Sequence, residues 1–278
     1  MASNKEPPKP MDFFPFRGQY GGDYAGRLLF LSVRSLVPVI SYTLLAPTSS
    51  RWSIFSRFPI LAPARLPPTG DGLQIPLLRD GILTVLQSSL GLPRTSTIIF
   101  LGTLLPSFSF ALYNALWRRE RFPMTGQGGS IHVTTMVNFV DILHPLIFVY
   151  SAACNPTWSG DLVRWTPSVL LLGIVLHVVA DHSKYIFRGD RRNDGRVLSS
   201  GVWGLVRHPN YLGFTIWRVA FATAAGGWAF GAMMLAGFAY LFVDTAVPIC
   251  EEYMAKKYGI EWRKVTEKVR WRMFPGVW

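Results

Sequence analysis

Residues 96–116 read STIIFLGTLLPSFSFALYNAL, and the next five are Trp117-Arg118-Arg119-Glu120-Arg121. The stretch carries no formal charge. At about 1.5 Å per residue it makes a helix roughly 30 Å long, the thickness of a bilayer's hydrocarbon core. An interfacial tryptophan followed by arginines is how such a span stops at a membrane surface. Working outward, comparable apolar segments lie at 27–47, 133–153, 167–187, 210–225 and 228–249. Arg34 and Pro38 interrupt the first, and Gly226-Gly227 separates the last two. The segment 72–90, GLQIPLLRDGILTVLQSSL, is shorter in apolar reach, and Pro76, Arg79 and Asp80 favour the interface.

The bulk numbers agree. Of 278 residues, 50% are apolar and only 16% charged, against about 25% charged in soluble domains. This excludes a disordered chain and argues against a soluble enzyme. The expected fold is all-α: a polytopic transmembrane bundle of six spans, or seven if 72–90 crosses. Residues 1–26 form a flexible leader without the early apolar core of a signal peptide. Residues 27–278 form one domain. The net charge of +12 resides in clusters at 117–121, 184–207 and 256–272. With six spans all three clusters and the N-terminus face the cytosol, as basic loops do; with seven only the N-terminus changes side. The charge is therefore assigned to membrane topology and anionic lipid, not to nucleic acid. Cys154 and Cys250 form neither a disulfide framework nor a metal motif, so no metal is expected. The oligomeric state is left open.

Charged residues inside spans mark function by default. Asp141 and His144 are three apart on one helical face, either a proton-donating pair or a polar contact between helices. Arg218 and Asp244, on adjacent spans, either neutralise each other or leave Arg218 to bind a substrate carboxylate. Asp181, Lys184 and Arg188 follow a helical rhythm at the end of the fourth span. Arg207-His208 stands just before Pro209, which suits the start of a helix, where anions bind. Asn210 and Tyr211 follow, and the tail adds Glu251, Lys257, Tyr258, Trp262 and Arg272. This inventory matches either a dinucleotide held without a Gly-x-Gly-x-x-Gly loop or a basic, aromatic rim that anchors the chain at the membrane.

The run SSGVWGLVRHPNYLG (199–213), with EEYMAKKYGIEWRK (251–264) and RWRMFPGVW (270–278), resembles the C-terminal part of a membrane superfamily. That superfamily includes sterol C14 and C7 reductases, steroid 5-alpha-reductase-like proteins and isoprenylcysteine carboxyl methyltransferases. The resemblance covers residues 181–278. Lys184-x-x-Phe187-Arg188 and the ending Arg272-x-x-Pro275-Gly276 are similar to the reductases. It implies a cytosol-facing NADPH pocket using Lys184, Arg188, Arg207, Asn210, Tyr211, Lys257, Tyr258 and Arg272, with His208 and Glu251 alongside. Phe214 stands where reductases carry an acidic residue, Val265 where they carry tyrosine, and Cys250 where one carboxylate of an acidic pair is expected.

The leading expectation is an NAD(P)H-dependent reductase of a C=C bond in a lipid-soluble sterol, steroid or terpenoid, in the endoplasmic-reticulum membrane. A general acid is then required, and the candidates are His144 with Asp141, or Tyr113. The alternative is an S-adenosylmethionine-dependent methyltransferase acting on a lipid-like or prenylated carboxylate. A non-catalytic membrane ligand binder is the third reading.

Overall fold

The computed structural model describes residues 21, 24–63, 67–69, 74, 80–121, 131–155 and 158–278. Most of the leader 1–26, and the part of 72–90 that holds Pro76 and Arg79, lie outside them. The described residues form helices and turns and no strand.

Long apolar helices build the bundle: α1 (Tyr24–Leu45), α4 (Arg94–Leu112), α5 (Ile131–Cys154), α6 (Gly160–Gly189) and α7 (Pro209–Leu241). Short helices connect or follow them: α2 (Ile54–Arg57), α3 (Asp80–Leu90), α8 (Val247–Tyr258) and α9 (Ile260–Lys268). Five helices are long and apolar enough to cross a membrane, the last running from Pro209 to Tyr258. That last one is a hairpin. Gly227 has φ 80° and ψ −176°, which breaks the helix at a conformation only glycine adopts cheaply. Beyond it the chain runs back along itself. A Cβ on Gly231 would meet Thr223, Phe214 packs on Phe238 at 5.3 Å, and Tyr211 stacks on Phe242 at 4.8 Å. Backbone carbonyls at the reversal are satisfied from outside: Asn155 Nδ2 donates to Gly226 O at 2.6 Å and Trp158 Nε1 to Ala224 O at 3.0 Å. The fifth apolar helix is thus two antiparallel arms, and α3 has 11 described residues.

Exposed apolar side chains such as Leu36, Val39, Phe108, Leu172 and Val175 sit on the spanning helices and mark the lipid face. The interior is closed by Leu44, Phe100, Phe148, Leu170, Trp217 and Phe221. The closest helix pair is α6 against the first arm of α7. A Cβ on Gly173 would lie 2.5 Å from Trp217 N, and one on Gly213 would lie 2.6 Å from His177 N. Small residues let backbones approach where lipid offers no hydrophobic drive to association. Here they bring His177, Asp181 and Lys184 alongside Tyr211 and Phe214.

The basic clusters gather at one end. Arg119 Nη1 donates to Arg188 O at 2.9 Å, tying the end of the α4 segment to the end of α6. The C-terminal tail folds back onto the turn before α7: Arg207 N donates to Trp271 O and His208 N to Arg272 O, both at 2.9 Å. Met273 is wholly buried against Phe242 and Val247.

Candidate functional site

A cleft opens at this basic end. Its walls are the last turns of α6 (Lys184, Arg188), the loop 197–208, the start of α7 (Asn210, Tyr211), and the tail helices (Cys250, Met254, Trp262, Val265). Each side chain is placed by local structure. Helix α6 runs past the bundle, and Trp203 Nε1 caps it sideways by donating to Ala180 O at 3.0 Å. Lys184 lies 5.2 Å from the Trp203 ring, and Arg188 lies 5.4 Å from the Tyr258 ring. Pro209 starts α7, and His208 stacks on Tyr211 at 5.4 Å.

The electrostatics are one-sided. Among the described residues the walls carry Lys184, Arg188 and Arg207 and no carboxylate. Glu251 stands behind them, 3.0 Å from Arg207 Nη1, 3.2 Å from Arg272 Nε and 3.7 Å from His208 Nε2. One carboxylate thus holds three basic groups together without neutralising them. Burial lowers the pKa of His208 below its ordinary value, opposed by Glu251, and burial likewise lowers that of Arg207. Arg207 Nε is buried without a hydrogen-bond partner among the described residues, and such a donor suits an anionic group.

Of the sequence-predicted cofactor residues, Lys184, Arg188, Arg207, His208, Asn210 and Tyr211 line the cleft. Glu251 and Arg272 organise it from behind. Tyr258 borders it through Arg188 and packs with Trp262 and Val265. Lys257 is exposed and donates to Tyr253 Oη at 3.0 Å, away from the walls.

Deeper along the same stripe of α6 lies a second polar cluster. Residues 177, 181, 184 and 188 recur at helical spacing on one face. His177 Nε2 is 3.2 Å from Asp181 Oδ2. Phe110 and Phe214 pack edge-on to the His177 ring at 5.7 and 6.0 Å. Tyr113 faces this pair across a small cavity, lined also by Phe110 and Trp117. It sits in a π-helical turn (Tyr113–Trp117) that ends the α4 span. Such turns interrupt regular helices most often at functional positions. His177 was not singled out in the sequence; its place one turn before Asp181, in the rhythm of Lys184 and Arg188, was the available signal.

Asp141 and His144 are arranged differently from the expected pair. Asp141 Oδ2 accepts from Arg34 Nη1 and Oδ1 from Arg218 Nη1. His144 Nδ1 lies 2.6 Å from Val140 O of its own helix, and its ring stacks on Phe221 at 4.3 Å. Arg218 therefore pairs with Asp141, not with Asp244, which is exposed in the π-helical turn Phe242–Ala246. Arg34, read as a flaw in the first span, is the residue that joins α1 to this centre.

Comparisons with known proteins cover the part of the chain that carries the cleft. A family model described as "Protein of unknown function (DUF1295)" matches residues 115–269. A probable O-methyltransferase of Ustilaginoidea virens is 27% identical over 90% of this chain and 86% of its own length. A Delta(14)-sterol reductase of Septoria lycopersici is 31% identical over 35% of this chain, and another of Gibberella zeae 28% identical over 47%. The chain spans 23% and 38% of the lengths of those two reductases. No solved structure gives a significant match.

Proposed function

The chain belongs to the DUF1295 family of integral membrane proteins, and from that premise we propose that it reduces a C=C bond of a lipid-soluble substrate, using NADPH held in the basic-end cleft. The observation that carries this reading is the charge of the cleft walls: Lys184, Arg188 and Arg207, with no carboxylate among the described lining residues. A charge about 4 Å from a guanidinium gains or loses roughly 4 kcal/mol at an effective dielectric of about 20. Phosphates gain that energy, and the sulfonium of S-adenosylmethionine loses it. When bound, NADPH supplies hydride. Arg207, just before the N-terminal end of α7, would hold phosphate oxygens with its unpartnered Nε, and His208 would line the same end through its contact with Glu251. Lys184 and Arg188 would hold further phosphate. Tyr113 delivers the proton, with His177 and Asp181 positioned to restore it. Aromatic side chains of Phe110, Phe214 and Trp217 exclude water beside that acid. The substrate is of sterol, steroid or terpenoid type, and the membrane is that of the endoplasmic reticulum, with the cleft facing the cytosol.

Tyr113→Phe tests the proton donor. It is expected to cut turnover about 100-fold or more while leaving NADPH affinity unchanged. Turnover within about threefold of the parent would remove Tyr113 from the reaction.

One observation favours a second reading. The relative aligned over 90% of this chain bears a methyltransferase name. On that reading the cleft holds S-adenosylmethionine, the substrate is a lipid-like carboxylate, and Tyr113 is dispensable, because methyl transfer from a sulfonium requires proximity and no acid.

A further inference from the structure

The centre of the bundle holds more positive charge than it neutralises. Arg34 on α1, Asp141 on α5 and Arg218 on α7 are each 1–2% exposed, and they bring two guanidiniums to one carboxylate. Asn138, 5% exposed, accepts from Arg34 Nη1 at 2.7 Å and adds no charge. Five buried nitrogens in this cluster have no hydrogen-bond partner among the described residues: Arg34 Nε and Nη2, Asn138 Nδ2, His144 Nε2 and Arg218 Nε. Four of the five are donors; His144 Nδ1 faces the Val140 carbonyl and carries the ring proton, which leaves Nε2 an acceptor. An uncompensated guanidinium in a membrane interior is costly, and so is each unmade hydrogen bond around it. What the cluster lacks is one anion with several acceptor lone pairs.

An apolar space adjoins it. Phe221, which stacks on His144, stands between the cluster and an apolar cavity of about 200 Å³ bounded by Leu101, Leu105 and Leu170. Gly102 lets the Phe221 ring lie against α4; a Cβ there would sit 2.7 Å from it. On the other side, Phe110 lies 5.1 Å from the Arg34 guanidinium and packs on His177. The cationic centre thus stands between an apolar cavity and the Tyr113–His177–Asp181 cluster.

We propose that this centre is the binding site for the carboxylate of a lipid-soluble acid, with the acid's apolar body in the cavity beyond Phe221. A carboxylate matches the bidentate fork of Arg218 or Arg34 and the Nδ2 donor of Asn138. Arg218 lies seven residues beyond Tyr211 on α7, so the carboxylate is anchored roughly 10 Å deeper than the cleft. The inference deepens the proposed function by giving the substrate's chemical class, and it rests on that reading only in calling the bound acid a substrate.

The test uses the full chain in detergent, with hexadecanoate labelled with ¹³C at its carboxyl carbon, its methyl ester, and sodium acetate. The acid is expected to raise the melting temperature, and its carboxyl resonance to stay in the ionised position at pH values where the micelle-bound acid is protonated. The ester and acetate are expected to do neither. Arg218→Gln leaves Arg34 paired with Asp141 and removes the excess charge; it is expected to weaken hexadecanoate binding about tenfold or more. Where Arg218→Gln fails to fold, Asn138→Ala removes the Nδ2 donor and is expected to weaken binding about fivefold. The NADPH-induced shift is read on the same samples and is expected to be unchanged by either variant, so loss of cofactor binding is separable from loss of the acid. Equal shifts from acid and ester, an equal shift from acetate, or undiminished acid binding in both variants would each overturn the assignment.

Discussion

Two polar regions lie about two helical turns apart along α7, and they are built in opposite ways. The cleft at the basic end draws its side chains mainly from one run, 184–211, and from the tail that folds over it. Its charges are partly solvated: Arg272 is 42% exposed and Arg207 10%. The central cluster brings together residues of α1, α5 and α7 that lie far apart in the chain and buries all of them to 5% exposure or less. A solvated charge costs little to place and serves to bind. A buried one must be balanced, so it ties the fold together as well as binding.

That contrast is broken most forcefully at Asp141. Asp141→Ala strips two buried guanidiniums of their counter-charge, and such losses cost about 3–5 kcal/mol. The variant is expected not to accumulate as folded protein, or to melt far below the parent in detergent, as followed by thermal unfolding. A variant melting within about 2 °C of the parent would show that the arginines do not need it.

Gly213→Leu probes the packing that joins the two regions. A Cβ there would meet the α6 backbone at 2.6 Å, so α6 and α7 must separate. Overpacking of this kind costs about 1–3 kcal/mol or more. Loss of both stability and nucleotide binding is expected, since Lys184 and Tyr211 would no longer face the same cleft.

Arg207→Ala acts on the cleft alone. It is expected to weaken NADPH binding by about tenfold or more, the worth of a charge-assisted hydrogen bond, while leaving the melting temperature of the free protein nearly unchanged. A large drop in stability with unchanged affinity would invert the contrast between the two regions.

The smallest effect concerns His208. Its folded pKa lies below the ordinary 6.5 because it is buried, so the unfolded chain binds the proton more tightly. Its contribution to stability is fully present above about pH 6.5 and is lost as pH falls from there toward the folded pKa. Unfolding measured between pH 7.5 and 5 should show this slope, and His208→Asn should flatten it.

The cleft was legible in the sequence because its residues are near neighbours on the chain: Arg207-His208-Pro209-Asn210-Tyr211 is one uninterrupted motif. The spans were legible for the same reason, since a lipid-crossing helix must be apolar along a contiguous stretch. The hairpin at Gly227 followed from two adjacent glycines between apolar runs. Partnership across helices was not legible. Arg34, Asp141 and Arg218 are separated by 107 and 77 residues, and nothing local says which acid meets which base. Pairing Arg218 with Asp244 followed chain proximity, whereas helix packing turns Arg218 toward α5. Lys257 does not line the cleft but lies 5.4 Å from the ring of Tyr258, which borders it.

The most direct measurement is thermal unfolding of the detergent-solubilised chain with saturating NADPH or S-adenosylmethionine, with Arg207→Ala alongside. A ligand at about 100 times its dissociation constant stabilises by about 2.7 kcal/mol. The cationic, carboxylate-free walls of the cleft lead us to expect stabilisation by NADPH, none by S-adenosylmethionine, and loss of the NADPH shift in Arg207→Ala at the same concentration. Stabilisation by S-adenosylmethionine alone would contradict the reductase reading and make the chain a methyltransferase.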